Sequence, residues 1–239
     1  MVQSSLRAGK RYFVGQSYAK HHELGEFLYS DLMASVCKAT LGGTAFLHND
    51  QYVIKSGKTG MSFSWHQDGA YVHARVGEHP ECVTVWCALD NCGEENGTIY
   101  ILPAGAAGTR KLEEHIRDPV TNDRVGYFGD AAGTPVVCPA GSIAVFSSLV
   151  FHRSGANTSG GERRAYLAQY APTSITNNPG EWPQYFAAPF LREGEVIPET
   201  DRAVPPIDTP PPTLPSASAS GSGSSSASVS GSASASSAR

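Results

Sequence analysis

ECVTVWCALDNCGEENGTIYILP, residues 81–103, sets two apolar runs on either side of a polar connection. ECVTVWCALD (81–90) and TIYILP (98–103) are short and rich in β-branched and aromatic residues, which reads as two strands. Between them NCGEENG carries turn signals, and Glu95-Asn96-Gly97 reads as a hairpin whose glycine takes a positive φ. The pattern repeats along the chain in FLHNDQYVIK (46–55), RVGYFG (124–129), PVVC (135–138), SIAVFSS (142–148), LVFHRS (149–154) and RRAYLAQYAP (163–172). SGKTG, DAAG and PAG punctuate these runs. Many short strands without intervening helices imply a mainly β sandwich or jelly roll.

Ahead of the strands, ELGEFLYSDLMASVCKATLG (23–42) spaces Leu24, Phe27, Leu28, Leu32, Met33, Val36 and Leu41 near a helical period and stops at Gly42-Gly43. One packing helix is expected there. The chain divides accordingly into a helical amino-terminal support (1–45), a jelly-roll domain (46–200) and a Pro/Ser-rich tail (201–239). The tail holds VPPIDTPPPTLP (204–215) and then little besides Ser, Ala and Gly, too few apolar groups to offset the entropy of ordering.

With 239 residues, 40% of them hydrophobic, the chain can bury a substantial core. A net charge of -4 offers no field for a phosphate backbone, which argues against nucleic acid as a partner. No apolar run approaches the roughly 20 residues that cross a bilayer, and MVQSSLRAGKRYF lacks the apolar centre of a secretion signal. An intracellular, cytoplasmic protein without a membrane partner is expected. Five cysteines without a C-x-x-C pair fit neither a disulfide framework nor a structural zinc site.

Two segments carry chemistry. In FSWHQDGAYV (63–72), strand alternation would send His66 and Asp68 to one face while Gln67 turns away. Imidazole plus carboxylate suits non-haem iron, although a hydrogen-bonded pair beside the turn at Gly69 accounts for the same residues. In FHRSGANTSGGERRAYLAQY (151–170), His152 follows an apolar strand and Arg163 lies eleven residues further on. His66, Asp68 and His152 would make a two-histidine, one-carboxylate set that leaves three coordination positions open. An arginine across the pocket would bind a carboxylate in a bidentate fork.

These segments resemble the phytanoyl-CoA dioxygenase family of iron(II)- and 2-oxoglutarate-dependent oxygenases, which includes ectoine hydroxylase. The resemblance runs from about Asn49 to about Tyr170. It rests on four stretches in order: NDQYVIKSG (49–57), FSWHQDGAYV (63–72), VTVWCALDNCGEENGTIYILPAG (83–105) and HRSGANTSGGERRAY (152–166). It implies a double-stranded β-helix (jelly roll), Fe(II), 2-oxoglutarate and O2, with succinate and CO2 as co-products. It implies His66, Asp68 and His152 as metal ligands and Arg163 as the clamp on the distal carboxylate of 2-oxoglutarate. Ser154 would assist that clamp, Gln51 would touch the co-substrate, and Trp86 would wall the same pocket. Arg164 competes with Arg163, but only one can face inward, and the spacing favours Arg163. A carboxylate at Asp68, where halogenating relatives leave room for chloride, implies hydroxylation or desaturation of a small molecule.

Other readings stay open: a cupin-like metal enzyme that does not use 2-oxoglutarate, and a non-catalytic jelly-roll binding module. Departures from the family are visible. LPAGAAGTR (102–110) has Ala-Gly-Ala where the family usually has Gly-Ser-His, which implies a missing contact at the pocket mouth. The family's early strand has no counterpart, which implies an incomplete lid and a truncated start; a family lysine that touches 2-oxoglutarate has no match. The site shows no basic cluster for a CoA phosphate, which leans against a CoA ester. His21, His22, His48, His79 and His115 read as surface or structural residues, as does His73, which lies close enough to reach the pocket rim. Asp118, Asp123 and Asp130 read as solvated.

Overall fold

Two antiparallel sheets face each other in the computed structural model, which describes residues 11–77, 79–175 and 188–202. The larger has seven strands in the order β13 (Glu195–Val196), β12 (Ala188–Arg192), β2 (Ala45–Lys55), β11 (Arg163–Ala171), β4 (Val83–Ala88) and β9 (Ile143–Ser147), with β1 (Arg11–Gly15) also paired to β2. Strand β2 is long enough for β12 and β1 to share one of its edges, at opposite ends, while β11 covers the other. The smaller sheet runs β3 (Phe63–His66), β10 (Phe151–Ser154), β5 (Ile99–Leu102) and β8 (Thr134–Pro135). A separate hairpin, β6 (Ile116–Arg117) and β7 (Arg124–Val125), stands over one end. The mainly β jelly roll expected from the sequence is the observed architecture.

Alternation along the central strands explains the layering. In β4, all six residues are buried; Val83, Val85 and Cys87 point into one core, and Trp86 and Ala88 into another. Strand β11 divides the same way, with Tyr166, Ala168 and Tyr170 on the first side and Ala165 and Leu167 on the second. The first core lies under the helices and the second lies between the sheets. A sheet covered on both faces reads as a continuous apolar run, which is how β4 appears in the sequence.

Residues 81–103 do not fold back as the expected hairpin. Strands β4 and β5 belong to different sheets, so residues 89–98 cross the edge of the sandwich through a short 3-10 turn at Glu94–Asn96. Gly97 takes φ +77° there, as the turn chemistry requires, and a Cβ on it would lie 2.7 Å from the Gly155 carbonyl oxygen.

The expected single helix over 23–42 is broken. A 3-10 turn (His22–Leu24) runs into α1 (Gly25–Leu28), and α2 (Asp31–Leu41) starts afresh. Ser30 causes the break: with ψ at 163° its hydroxyl accepts the Met33 N–H, capping α2 in a contact worth about 1 kcal/mol. Met33, Ala34 and Cys37 then pack inward, whereas Leu32, counted in the apolar stripe, is exposed. The amino-terminal stretch is also not purely helical, because β1 pairs along residues 51–55 and supplies an early strand. No helix among the described residues is long and apolar enough to cross a membrane. Beyond Arg202 the expected Pro/Ser-rich tail lies outside the described residues.

Candidate metal and co-substrate site

His66 and His152 are direct partners on the antiparallel strands β3 and β10, with ring centroids 4.1 Å apart. Each ring turns Nδ1 to a backbone carbonyl two residues earlier, His66 to Ser64 at 2.8 Å and His152 to Val150 at 3.1 Å. Those carbonyls can only accept, so both Nδ1 atoms carry a proton, and Nε2 is the nitrogen that each ring turns to the pocket for a ligand. The Nε2 atoms lie 3.6 Å (His66) and 3.5 Å (His152) from Asp68 Oδ1. One ligand atom from each residue falls within 4.8 Å of the others.

Asp68 reaches this point by a route other than strand alternation. Strand β3 ends at His66, and Asp68 takes helical angles (φ -58°, ψ -32°) at the start of α3 (Gly69–Val76). A strand-to-helix turn therefore brings the two side chains together. Gln67, between them, is buried in the opposite direction, donating to the Lys111 and Leu149 carbonyls and accepting the Glu113 N–H.

Burial alone would raise the Asp68 carboxyl, but His152 and His66 nearby, with the Thr84 hydroxyl, outweigh it and hold the group well below the usual range. Burial and the neighbouring His66 push His152 down to about 4, against the pull of Asp68. Near neutral pH the pocket thus holds a carboxylate and a neutral His152 imidazole, the protonation states that metal ligation needs.

Asp68, His66 and His152 line a cavity of about 480 Å³ together with Gln51, Trp86, Ser154 and Arg163. Arg163 is almost completely buried on β11, and its Nη2 donates to the Gly97 carbonyl at 2.6 Å. Its Nε and Nη1 have no hydrogen-bond partner among the described residues. Arg164, the competing residue, points outward to an ion pair with Asp90 at 2.6 Å. His73 is exposed and does not line the cavity, and His115 is structural: its Nε2 accepts the Gln67 N–H and its ring stacks on Phe151. The Ala104–Ala107 segment forms a short helix, α4, that contributes no residue to the lining. Burial pushes the Cys82 and Cys87 thiols up to about 12.

Several residues of the site went unread in the sequence. Asp123, expected in solvent, is buried: it pairs with Arg11 at 2.5 Å and accepts the Ser64 N–H at 3.0 Å. Arg11 and Asp123 both line the cavity, tying β1 and the β6–β7 hairpin to β3. Thr84, Asn49 and Gln169, to which the sequence alone assigns no role, are joined by hydrogen bonds that end on Asp68. Polar residues inside otherwise apolar strand runs were the available signal.

The two-sheet jelly roll that holds this cluster between its sheets has counterparts among solved structures. It resembles the epimerase SnoN solved with Fe3+, alpha ketoglutarate and nogalamycin RO, with a TM-score of 0.58, 18% identity and coverage of 80% of this chain and 77% of that one. The chain belongs to the phytanoyl-CoA dioxygenase (PhyH) family, whose model matches residues 11–165. It is 27% identical to the L-proline trans-4-hydroxylase of Streptomyces griseoviridis over 169 residues, 62% of this chain and 61% of that protein. It is 26% identical to the ectoine dioxygenase of Stutzerimonas stutzeri over 142 residues, 52% of this chain and 46% of that protein. The chain therefore matches only about half the length of these relatives.

Proposed function

We propose that the protein is an iron(II)- and 2-oxoglutarate-dependent dioxygenase that hydroxylates or desaturates a small organic molecule, with succinate and CO2 as co-products. The observation that carries this reading is Arg163. A guanidinium buried in the cavity, with Nε and Nη1 unpartnered among the described residues and a second Nη2 hydrogen beside them, fits the fork of a carboxylate, and leaving it unmatched would be costly. Its company supports the co-substrate: Trp86 lies beneath the guanidinium, 5.9 Å from ring centroid to Cζ, and Ser154 and Gln51 line the same space.

In this reading His66, Asp68 and His152 would hold the iron. Bound iron and 2-oxoglutarate supply oxygen activation and two of the electrons it needs. The chain's own residues do the placing. Arg163 fixes the far carboxylate of the co-substrate, Ser154 assists it, Gln51 contacts it from β2, and Trp86 with Ile99, Phe146 and Leu167 keeps water from that end.

The test is anaerobic titration of 2-oxoglutarate into the Fe(II) protein. Chelation is expected to produce a weak visible charge-transfer band, and Asp68→Ala is expected to lose both the band and 2-oxoglutarate-dependent succinate formation. Metal bound without the band would favour a cupin-like enzyme, which gives Arg163 no task. No metal bound at all would favour a binding module.

A further inference from the structure

Asp68 is gripped from the opposite sheet. Asn49, Gln169 and Thr84 stand side by side on β2, β11 and β4, Gln169 being the direct register partner of both others. All three are buried on a face that also carries Val53, Trp86, Ala165 and Leu167, with Gln51 and Arg163 further along it. Three adjacent polar side chains in such a wall are costly unless each is hydrogen-bonded, so their arrangement calls for a purpose.

Their hydrogens run in one direction. Asn49 Nδ2 donates to Gln169 Oε1 at 2.8 Å. Gln169 Nε2 donates to Thr84 Oγ1 at 3.0 Å and to Asp68 Oδ2 at 2.9 Å. Thr84 Oγ1 passes its own hydrogen to the same Asp68 Oδ2 at 2.7 Å. The rung thus ends with two donors on one carboxylate oxygen, while the other, Oδ1, faces both imidazoles.

We infer that Thr84 and Gln169 are positioning residues that reserve Oδ1 of Asp68 for the metal, with Asn49 fixing the orientation of the Gln169 amide. This rests on the proposed metal site. Two hydrogen bonds occupy the lone pairs of Oδ2 and hold it against β4 and β11, so Asp68 binds through a single oxygen. A carboxylate that chelated through both oxygens would take one of the three positions that a bidentate 2-oxo acid and oxygen require. Partners of this kind, one bond removed from a ligand, commonly change metal affinity by about 10- to 100-fold.

The experiment uses Co(II) with the full-length protein, without co-substrate or oxygen, reading affinity and the visible ligand-field spectrum. Thr84→Val and Gln169→Leu keep the approximate shape and remove the donors; Thr84→Ser keeps the hydroxyl. The two apolar variants are expected to melt cooperatively without metal, to bind Co(II) roughly 10- to 100-fold more weakly and to show an altered spectrum. Thr84→Ser is expected to match the wild type in both. Wild-type affinity and spectrum in the folded apolar variants would overturn the inference, as would Thr84→Ser behaving like Thr84→Val. Should Gln169→Leu not fold, the Thr84 pair decides alone. Asp68→Ala separates the two levels: if it binds Co(II) like the wild type, the metal site itself is refuted and the rung with it. If it loses Co(II) while the rung variants keep it, the inference alone is refuted.

Discussion

Arg163 and Lys55 stand directly opposite each other on β11 and β2, both fully buried, yet only the arginine reaches the cavity. The lysine amine turns away and donates to the Gly155 carbonyl. Two cations side by side in a low-dielectric interior repel each other, and one of them has to yield its charge or find an anion. Burial, then Arg163 and Arg11, push Lys55 down to about 6, with only Asp123 opposing.

A pH signature follows from Lys55. Between about pH 6 and its ordinary value of 10.5 the unfolded chain carries a proton on Lys55 that the folded chain lacks. Wild-type stability therefore rises with pH across that window. Lys55→Met removes the slope. The difference in Tm, variant minus wild type, is expected to fall as the pH is raised from 7 to 10, measured by thermal melting; a constant difference would show that the amine keeps its charge in the folded state.

Replacing Arg163 by Lys retains a cation but loses the planar fork. The KM for 2-oxoglutarate is expected to rise roughly 10- to 100-fold, the equivalent of one or two charge-assisted hydrogen bonds. Arg164→Ala, which breaks the exposed pair with Asp90, is expected to leave that KM unchanged. Steady-state kinetics with 2-oxoglutarate as the varied substrate compares the two.

The Arg11–Asp123 pair is nearly sealed from water, with side-chain exposures of 9% and 3%. Removing one partner strands the other, so Asp123→Leu alone is expected to cost about 3–5 kcal/mol in denaturant unfolding. Arg11→Met/Asp123→Leu together is expected to cost less than the sum of the single changes, because neither charge is then left unmatched.

Metal removal gives a fourth expectation. At a free Co(II) concentration of 100 times Kd, the loaded protein is expected to exceed the stripped one by about 2.7 kcal/mol in unfolding free energy. Acid narrows the gap, since protons compete for the imidazoles. The stripped protein also weakens as pH falls below 6.5: His48, pushed down to about 3 mainly by burial, and His152, at about 4, take up protons in the unfolded chain first. Melting curves with and without chelator at pH 7.5 and pH 5.5 test both effects.

The sandwich and the residues His66, Asp68, His152 and Arg163 were legible because strand patterns are local and the motifs that carry these four stand in order along the chain. His66 and Asp68 were read together for an incomplete reason: Asp68 sits at the start of α3, and a period of two residues does not distinguish a strand from a strand that turns into a helix. Ser30-Asp31 carried a helix-start signature that was absorbed into a longer apolar stripe. The 91–97 connection looked like a hairpin because turn chemistry fixes the backbone locally and says nothing about which sheet the next strand joins. Asp123, Thr84 and Gln169 escaped for one common reason. Their partners, Arg11 and Asp68, are distant in sequence, and a polar residue in a strand reveals its purpose only when the strand opposite it is known.

Strand β1 separates two tasks that the other strands combine. It places Arg11 and Phe13 on the cavity wall, while no residue of 11–15 belongs to any of the buried apolar clusters. The strand thus borders the space beside the His–Asp–His cluster from outside the core. Arg11 apart, whose pair with Asp123 carries stability, this strand forms cavity wall through Phe13 without belonging to the apolar core.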